Sequence, residues 1–490
     1  MAEGNSLDRS MARALAWNTA AKFLSQAFSW LSTIVVARLL TPYDYGLIGM
    51  AGVYLALGTV VSQTGIGTTV LYVRDLTRRQ IAELNTFSIG VGLFLTALTC
   101  ALAVPLARFF SAPPLRALIL VASITYSIDA FQAVPRALLQ KELQFKLLST
   151  IEATRFFCQA LCCMVLAWLH FRYWSLVLGH IIGTLTSTIF TLYWMRHEYA
   201  RPHLLHLRQE LRYARHVLFS GVAGYIYANA DFGVVGRVLG AVPLGNYSVA
   251  WGIASVPVDK ISSLLTGVTP AFFSAIQNNK PELRRYLLRL TEALSLATIP
   301  ASIGLALVAD SLILVLLGPK WRDAIRPLRL LSVFIAFRSL ATLLSNLLTS
   351  IGDARFVMWF TAGSAILMPI AFFAGSHWGI NGVATAWMTA YPVILIPLYM
   401  RTFNQIGMRL KEYLSAVFPA LRASAIMAVF VVGTGIAFLR AMRPLSNLLL
   451  TMVVGMTSYL GVLFVFHRDR VARLVRYMRL LKKGGLPIDV

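Results

Sequence analysis

The sequence predicts an all-α, polytopic integral membrane protein with about 14 transmembrane helices. Its 490 residues are 58% hydrophobic and 13% charged, and its mean hydropathy is +0.69. A water-soluble fold carries about 25% charged residues, so a chain with half that fraction presents most of its surface to lipid. Apolar stretches of about 20 residues, long enough to cross the hydrocarbon core, also recur along the chain. An ordinary soluble enzyme is excluded.

The predicted spans are apolar segments bounded by charged residues or by proline and glycine. They cover residues 14–37, 45–66, 83–107, 116–138, 148–171, 173–195, 216–239, 244–270, 286–309, 326–350, 356–376, 379–400, 414–438 and 446–466. The longest connection between them, residues 196–215, is too short for a folded extramembrane domain, which needs about 50 residues. The function is therefore expected within the bilayer.

The distribution of Lys and Arg predicts the orientation of these spans. The net charge of +24, from 44 Lys+Arg and 20 Asp+Glu, would indicate a nucleic-acid partner in a soluble domain. Membrane proteins instead concentrate cations on the cytoplasmic side. With the N-terminus inside, about 28 cations fall on that side and about 11 on the other. We expect both termini in the cytoplasm and no nucleic-acid partner.

An internal repeat divides the chain into two halves. Residues 35–51 align without gaps to residues 234–250, and the identical pairs include Arg38 with Arg237 and Gly46 with Gly245. The two segments join spans one to two and seven to eight, so each half contains six helices in the same orientation. An even-numbered repeat predicts two parallel, pseudo-symmetric lobes, with a central cleft between them and two C-terminal helices outside the duplication.

The predicted domains follow from this duplication. They are an N-lobe (1–195), a basic cytoplasmic linker (196–215), a C-lobe (216–400), two further helices (401–466) and a basic cytoplasmic tail (467–490). The tail alternates apolar residues and arginines at helical spacing, which is typical of an amphipathic helix on anionic lipid.

Ionisable residues inside the spans are the candidate functional groups, because a charge near mid-bilayer costs a few kcal/mol and normally faces protein or water. Polar stripes occur at helical spacing. In span five, Glu152 and Arg155 are close enough in sequence to pair. We expect a hydrated, net cationic cleft; the alternative is that the hydroxyls in these stripes only join helices. The charged candidates in or at the ends of the spans are Lys22, Arg38, Asp129, Glu152, Arg155, Asp231, Arg237, Asp259, Lys260 and Arg338.

The sequence contains no motif that indicates catalysis. A phosphate-binding GxxxxGK[ST] loop, a zinc-binding HExxH helix and a spaced Cys/His set are all absent. No metal, no cofactor and no ATP hydrolysis are therefore expected. We expect transport rather than bond chemistry.

The run from residue 29 to 75 contains the segment ARLLTPYDYG at residues 37–46. It resembles the polysaccharide transporter branch of the Wzx-type oligosaccharide flippases, in the multidrug/oligosaccharidyl-lipid/polysaccharide export superfamily. The similarity continues at residues 134–149 and 316–332. The resemblance implies two six-helix lobes around a V-shaped cavity that opens alternately to the two sides of the membrane.

The resemblance also implies the cargo, an undecaprenyl-diphosphate-linked oligosaccharide repeat unit. Such a unit is carried to the periplasmic leaflet of the bacterial inner membrane for assembly of exopolysaccharide, capsule or O-antigen. Membrane lipids, and a polysaccharide polymerase with its export machinery, are the implied partners. The two extra helices resemble those of lipid II flippases, which form a groove for the lipid tail.

The resemblance further implies that cavity cations hold the diphosphate and acidic sugars. The candidates are Lys22, Arg155, Lys260 and Arg338, with Arg38 and Arg237 as periplasmic gate or headgroup contacts. The candidates for proton coupling or charge balance are Asp129, Glu152, Asp231 and Asp259.

Two other functions remain open from the sequence. A multidrug/proton antiporter shares the expected fold, but it usually needs cavity carboxylates for cationic drugs, and cations predominate here. A membrane glycosyltransferase or polymerase generally carries catalytic residues on a large extramembrane loop, and this chain has none.

Overall fold

The computed structural model describes residues 28, 30–72, 76–195, 198–201, 208–266, 269–438 and 444–466. Within these ranges the chain forms sixteen α-helices and no β-strand, so the predicted all-α class is confirmed. Lys22, most of predicted span one and the basic tail (467–490) lie outside the described residues. The chain divides into two compact units, residues 1–245 and 246–490.

The first unit contains α1 to α8 and the start of α9. The helices are α1 (Trp30–Leu39), α2 (Pro42–Tyr72), α3 (Arg78–Phe109), α4 (Pro114–Ala122), α5 (Ile124–Lys141), α6 (Phe145–Trp168), α7 (Trp174–Trp194) and α8 (Arg208–Val234), which continues into a π-helical turn, Val235–Leu239. Helix α8 packs along α2, where the Tyr225 hydroxyl donates to the carbonyl of Val53 at 2.8 Å.

The second unit contains most of α9 and all later helices. They are α9 (Ala241–Thr266), α10 (Thr269–Ala275), α11 (Lys280–Leu316), a 3₁₀ turn (Pro319–Ala324), α12 (Ile325–Ser350), α13 (Ala354–Ser376), α14 (Gly379–Ile406), α15 (Leu410–Phe438) and α16 (Pro444–Phe466). The predicted lobe boundaries remain a prediction.

Ten segments of the described chain are long and apolar enough to cross a membrane. They coincide with predicted spans three to six and nine to fourteen, so the protein is a multi-pass membrane protein. Helices α2, α8 and α9, of 31, 27 and 26 residues, occupy predicted spans two, seven and eight. At 1.5 Å per residue each exceeds the roughly 30 Å hydrocarbon core. The total of 14 spans remains a prediction.

The segment ARLLTPYDYG forms a capped helix start. The Asp44 carboxylate accepts hydrogen bonds from the Thr41 backbone N–H at 2.9 Å and the Thr41 hydroxyl at 2.6 Å. In return the Asp44 N–H donates to the Thr41 hydroxyl oxygen at 3.3 Å. This reciprocal box satisfies N–H groups that the first turn of a helix leaves without partners. The Thr-Pro-x-Asp spacing therefore fixes where α2 begins.

Two glycines allow the starts of α2 and α9 to touch. A Cβ on Gly46 would lie 1.8 Å from the carbonyl oxygen of Ala241, and a Cβ on Gly245 would lie 1.8 Å from the carbonyl oxygen of Pro42. Gly46 is equivalent to Gly245 in the sequence repeat, and Pro42 is equivalent to Ala241. The contact is thus reciprocal, and it explains why both copies of the repeat keep glycine at this position.

Candidate functional site

Arg338 of α12 is the candidate cation with the most defined surroundings. It is half-buried, and its guanidinium carbon lies 5.6 Å from the ring centre of Trp251 on α9. Among the described residues, no carboxylate is within ion-pair distance of Arg338. A guanidinium over an indole keeps most of its N–H donors available. The arrangement suits an incoming anion.

A rigid group of aromatic rings supports Trp251. The Trp251 ring centre lies 5.6 Å from that of Trp387 and 6.2 Å from that of Phe334, and these two rings stack at 4.5 Å. The Trp387 indole N–H donates to the Tyr247 hydroxyl at 3.2 Å. Trp387, Phe334 and Tyr247 are all fully buried, whereas Trp251 is half-buried at the edge of the group. Sequence reasoning missed Trp251, because its proximity to Arg338 depends on how α9 meets α12.

Asp259 and Lys260 are both exposed on α9. They follow Trp251 by about two helical turns, or roughly 12 to 14 Å along the helix axis. Pro257 lies between them and Trp251 within α9. The two charges are therefore on the same helix as the Trp251 ring but well separated from it.

Arg155 of α6 is half-buried in the first unit, and its Nε atom is buried without a hydrogen-bond partner among the described residues. Its expected pairing with Glu152 does not form. Glu152 instead forms an ion pair with Arg136 of the neighbouring helix α5. The sequence spacing indicated Arg155, on the same helix, as a possible partner of Glu152, whereas the cation that pairs with Glu152 comes from α5. A buried charged donor without a partner is costly.

Asp129 of α5 is buried in a hydrogen-bonded chain of side chains. The Gln132 amide donates to the Asp129 carboxylate at 2.7 Å, and the Ser187 hydroxyl donates to the Gln132 carbonyl at 2.8 Å. The chain joins α5 to α7. Asp129 and Gln132 are three residues apart on α5, which puts them on the same face of the helix.

A cavity of about 470 Å³ lies inside the first unit, between α2, α4, α5, α7 and α8. Most of its lining is apolar, and its polar side chains are Thr59, Thr125, His180 and Tyr225. The candidates predicted from the sequence do not include His180, which lies within α7. The spacing of His180, Thr184, Ser187 and Thr191, at intervals of four and three, is the signal that identifies this polar face.

The remaining candidates lie near the junction of α8 and α9 and at the end of α1. Asp231 is fully buried, and its carboxylate accepts from the N–H of Phe232 at 3.0 Å. Arg237 is exposed, with its guanidinium carbon 5.3 Å from the ring centre of Phe109 and a hydrogen bond to the Ser111 hydroxyl at 3.4 Å. Arg38 is exposed near the end of α1. Both repeat-related arginines thus lie at helix ends.

Asp44 lies in the segment ARLLTPYDYG but is not among the candidate residues predicted from the sequence. Its side chain is 1% exposed, and its second carboxylate oxygen lies 3.5 Å from Nε of Arg172 in the loop between α6 and α7. This contact ties the start of α2 to that loop. Because Asp44 already caps α2, its role is structural.

An apolar groove runs between α11, α15 and α16 in the second unit, with a volume of about 770 Å³. A neighbouring cavity of about 700 Å³ shares Leu307, Val308, Val431 and Thr451 with it. The second cavity adds polar groups, among them Asn447 and the ion pair between Asp310 and Arg329. Together they form an apolar groove with a polar end.

Known proteins resemble this chain over most of its length. A family model described as polysaccharide biosynthesis protein matches residues 35–326. The lipopolysaccharide biosynthesis protein WzxC of Escherichia coli is 24% identical over 436 residues, covering 85% of this chain and 87% of that protein. The teichuronic acid biosynthesis protein TuaB of Bacillus subtilis is 26% identical over 432 residues, covering 86% and 88%.

Solved structures share the fold. The lipid II flippase MurJ, in an inward closed conformation, matches with a TM-score of 0.75 at 15% identity over 92% of this chain and 99% of that chain. An inward-facing MATE-family multidrug resistance transporter of the MOP superfamily matches with a TM-score of 0.60 at 16% identity over 78% and 95%. The predicted resemblance to Wzx-type flippases of this superfamily is confirmed.

Proposed function

The chain belongs to the polysaccharide biosynthesis protein family, and from that premise we propose that it flips undecaprenyl-diphosphate-linked oligosaccharide repeat units. The movement runs from the cytoplasmic to the periplasmic leaflet of the bacterial inner membrane. The flipped units supply assembly of exopolysaccharide, capsule or O-antigen. Both termini lie in the cytoplasm, and a polymerase with its export machinery receives the product.

The observation that carries this proposal is the composition of the second unit. Arg338 lies within a membrane-spanning helix without a carboxylate partner among the described residues, and an apolar groove lies beside α16 in the same unit. An amphiphile with an anionic head and a long hydrocarbon tail complements both features. A guanidinium binds diphosphate oxygens through charge-assisted hydrogen bonds, and the apolar groove suits a polyprenyl chain.

Arg155, Lys260 and Lys22 are further proposed contacts for the diphosphate and acidic sugars. In the part of the chain that the structure describes, the Arg155 Nε has no hydrogen-bond partner, which supports a role in anion binding. Arg38 and Arg237 occupy equivalent positions of the repeat, where they contact headgroups or a periplasmic gate. Alternating access follows from movement of one half of the chain against the other.

Asp129, Glu152, Asp231 and Asp259 are the proposed coupling or charge-balancing carboxylates. Glu152 balances Arg136 directly. Asp129 is the strongest coupling candidate, because its burial and its bond to Gln132 place an ionisable group inside a helix bundle.

The alternative function is multidrug/proton antiport by the same fold, which the MATE-family likeness supports. Cationic drugs require carboxylates that face the ligand. Glu152 is engaged by Arg136, and Asp129 by Gln132, which disfavours binding of a cationic drug at either carboxylate. The family and its relatives also favour a transporter over a glycosyltransferase or polymerase.

Reconstitution tests the proposal. Purified protein in liposomes is expected to move an undecaprenyl-diphosphate-linked oligosaccharide between leaflets, measured by its exposure to a membrane-impermeant glycosidase. The Arg338→Ala variant is expected to lose this activity, and Arg322→Ala, which changes an exposed arginine of the 3₁₀ turn, is expected to keep it. Drug-driven proton exchange without lipid movement would favour the antiporter.

A further inference from the structure

We propose that Trp251 and Arg338 form one subsite that binds the first sugar of the cargo together with the diphosphate attached to it. This inference rests on the proposed function and adds to it Trp251 as a residue that determines specificity for the sugar of the headgroup. Arg338 binds the phosphate oxygens, and the Trp251 indole stacks on the sugar ring.

Neighbouring aromatic rings hold the Trp251 side chain in place. Three neighbours fix the plane of the Trp251 ring: Trp387 at 5.6 Å, Phe334 at 6.2 Å and Tyr247 at 6.3 Å between ring centres. Helix α12 supplies Phe334 as well as Arg338, so one helix holds both the cation and a ring that packs against Trp251. A side chain that is already ordered loses little entropy when a ligand binds.

Exposed residues lie next to Trp251 on α9 and next to Arg338 on α12. Gly252, next to Trp251 on α9, is exposed, and a Cβ added there would meet no atom within 4 Å. One turn beyond Arg338, Thr342 is also exposed. The half-buried ring of Trp251 and the half-buried Arg338 thus each have an exposed neighbour on the same helix.

The Arg338 guanidinium and the Trp251 ring are close enough to bind one ligand. The Arg338 guanidinium lies 5.6 Å from the Trp251 ring centre, so a ligand that joins a phosphate directly to a sugar can contact both groups. The face of a pyranose presents C–H groups to the part of the electron-rich indole that the guanidinium does not cover. Undecaprenyl diphosphate without a sugar would contact Arg338 but not Trp251.

The experiment compares two lipids on the same protein. Equilibrium binding to purified protein in nanodiscs is measured with undecaprenyl diphosphate and with undecaprenyl diphosphate carrying one N-acetylhexosamine. Trp251→Leu is expected to weaken binding of the sugar-bearing lipid by roughly 3- to 10-fold and to change binding of the sugar-free lipid by less than about twofold. Trp251→Phe retains an aromatic face and is expected to fall between Trp251→Leu and the native protein.

Two further variants complete the design. Arg338→Gln is expected to weaken binding of both lipids, and Trp359→Leu, which removes a tryptophan that is 63% exposed on α13, is expected to affect neither. The ratio of the two dissociation constants within one variant does not depend on the folded fraction, so partial unfolding of Trp251→Leu does not imitate the result.

The outcomes separate the two levels of inference. If Trp251→Leu loses affinity for both lipids equally, or for neither lipid, the sugar subsite is overturned and the flippase proposal remains intact. Failure of the native protein to bind either lipid overturns the flippase proposal, and the subsite with it.

Discussion

At the residue scale, charge balance distinguishes binding residues from structural ones. Glu152 and Arg136 neutralise each other, and the Asp44 carboxylate is engaged by Thr41 and lies close to Arg172. Arg338 has an aromatic neighbour but no carboxylate partner among the described residues. A charge held in a membrane helix without a counter-charge is maintained at a cost. Such a residue is the one expected to contact an anionic ligand.

Replacing the proposed cavity cations tests this assignment in cells. Arg338→Ala and Lys22→Ala are each expected to abolish surface polymer export without lowering the amount of protein in the membrane. Losing a charged hydrogen-bond donor costs roughly 1.5–3 kcal/mol, or at least about tenfold in binding. Immunoblots and polymer staining are the measurements. Normal export by both variants would remove the cationic-cleft account.

Asp129→Asn tests the proposed coupling role. Asparagine keeps an acceptor oxygen for the Gln132 amide and removes the titratable charge, so the fold is expected to persist while a pH gradient no longer changes the flipping rate. The matched control is Ser187→Ala, which breaks the other bond of the chain. It is expected to cost about 1 kcal/mol in stability and to retain the pH response. An unchanged pH response in Asp129→Asn would exclude this carboxylate.

At the element scale, close helix contacts and open grooves coexist in the same fold. The starts of α2 and α9 touch so closely that neither Gly46 nor Gly245 has room for a Cβ. Between α11, α15 and α16, by contrast, an apolar volume of about 770 Å³ stays open. In the second unit Tyr459 of α16 donates to the carbonyl of Leu296 at 2.6 Å, which fixes the spacing of α16 and α11 beside the groove.

Gly46→Ala tests the contact between α2 and α9. The added methyl group overlaps a backbone carbonyl, which cannot rotate away as a side chain does, so we expect a loss of about 1–3 kcal/mol in stability. Gly90→Ala is the control, because Gly90 is exposed on α3 with open space at its Cβ position. Thermal unfolding of the purified variants is the measurement. Equal melting temperatures for the two variants would contradict the close contact.

Filling the groove tests its assignment to the lipid tail. Gly304 lines the groove and has room for a Cβ, and Gly433 is an exposed glycine of α15 that does not line it. Gly304→Leu is expected to weaken binding of the undecaprenyl-linked substrate about tenfold, because displacing two methylene groups costs roughly 1.6 kcal/mol. Gly433→Leu is expected to bind normally. Equal affinity in both variants would place the tail elsewhere.

At the scale of the whole molecule, periodicity and composition predict the fold class, whereas side-chain partners depend on tertiary packing. Apolar runs locate the membrane helices, and the repeated segments identify the equivalent glycines Gly46 and Gly245. The partner of Glu152 is not predictable from its own helix, since Arg136 comes from α5. Trp251 is missed for the same reason, because its contact with Arg338 joins residues 87 positions apart in the sequence.

The most direct measurement follows the lipid-linked intermediate in a strain that lacks this gene. The account predicts that undecaprenyl-linked oligosaccharide accumulates on the cytoplasmic leaflet while surface polymer disappears, and that the native gene reverses both changes. Surface polymer that persists without accumulation of the intermediate would contradict the account.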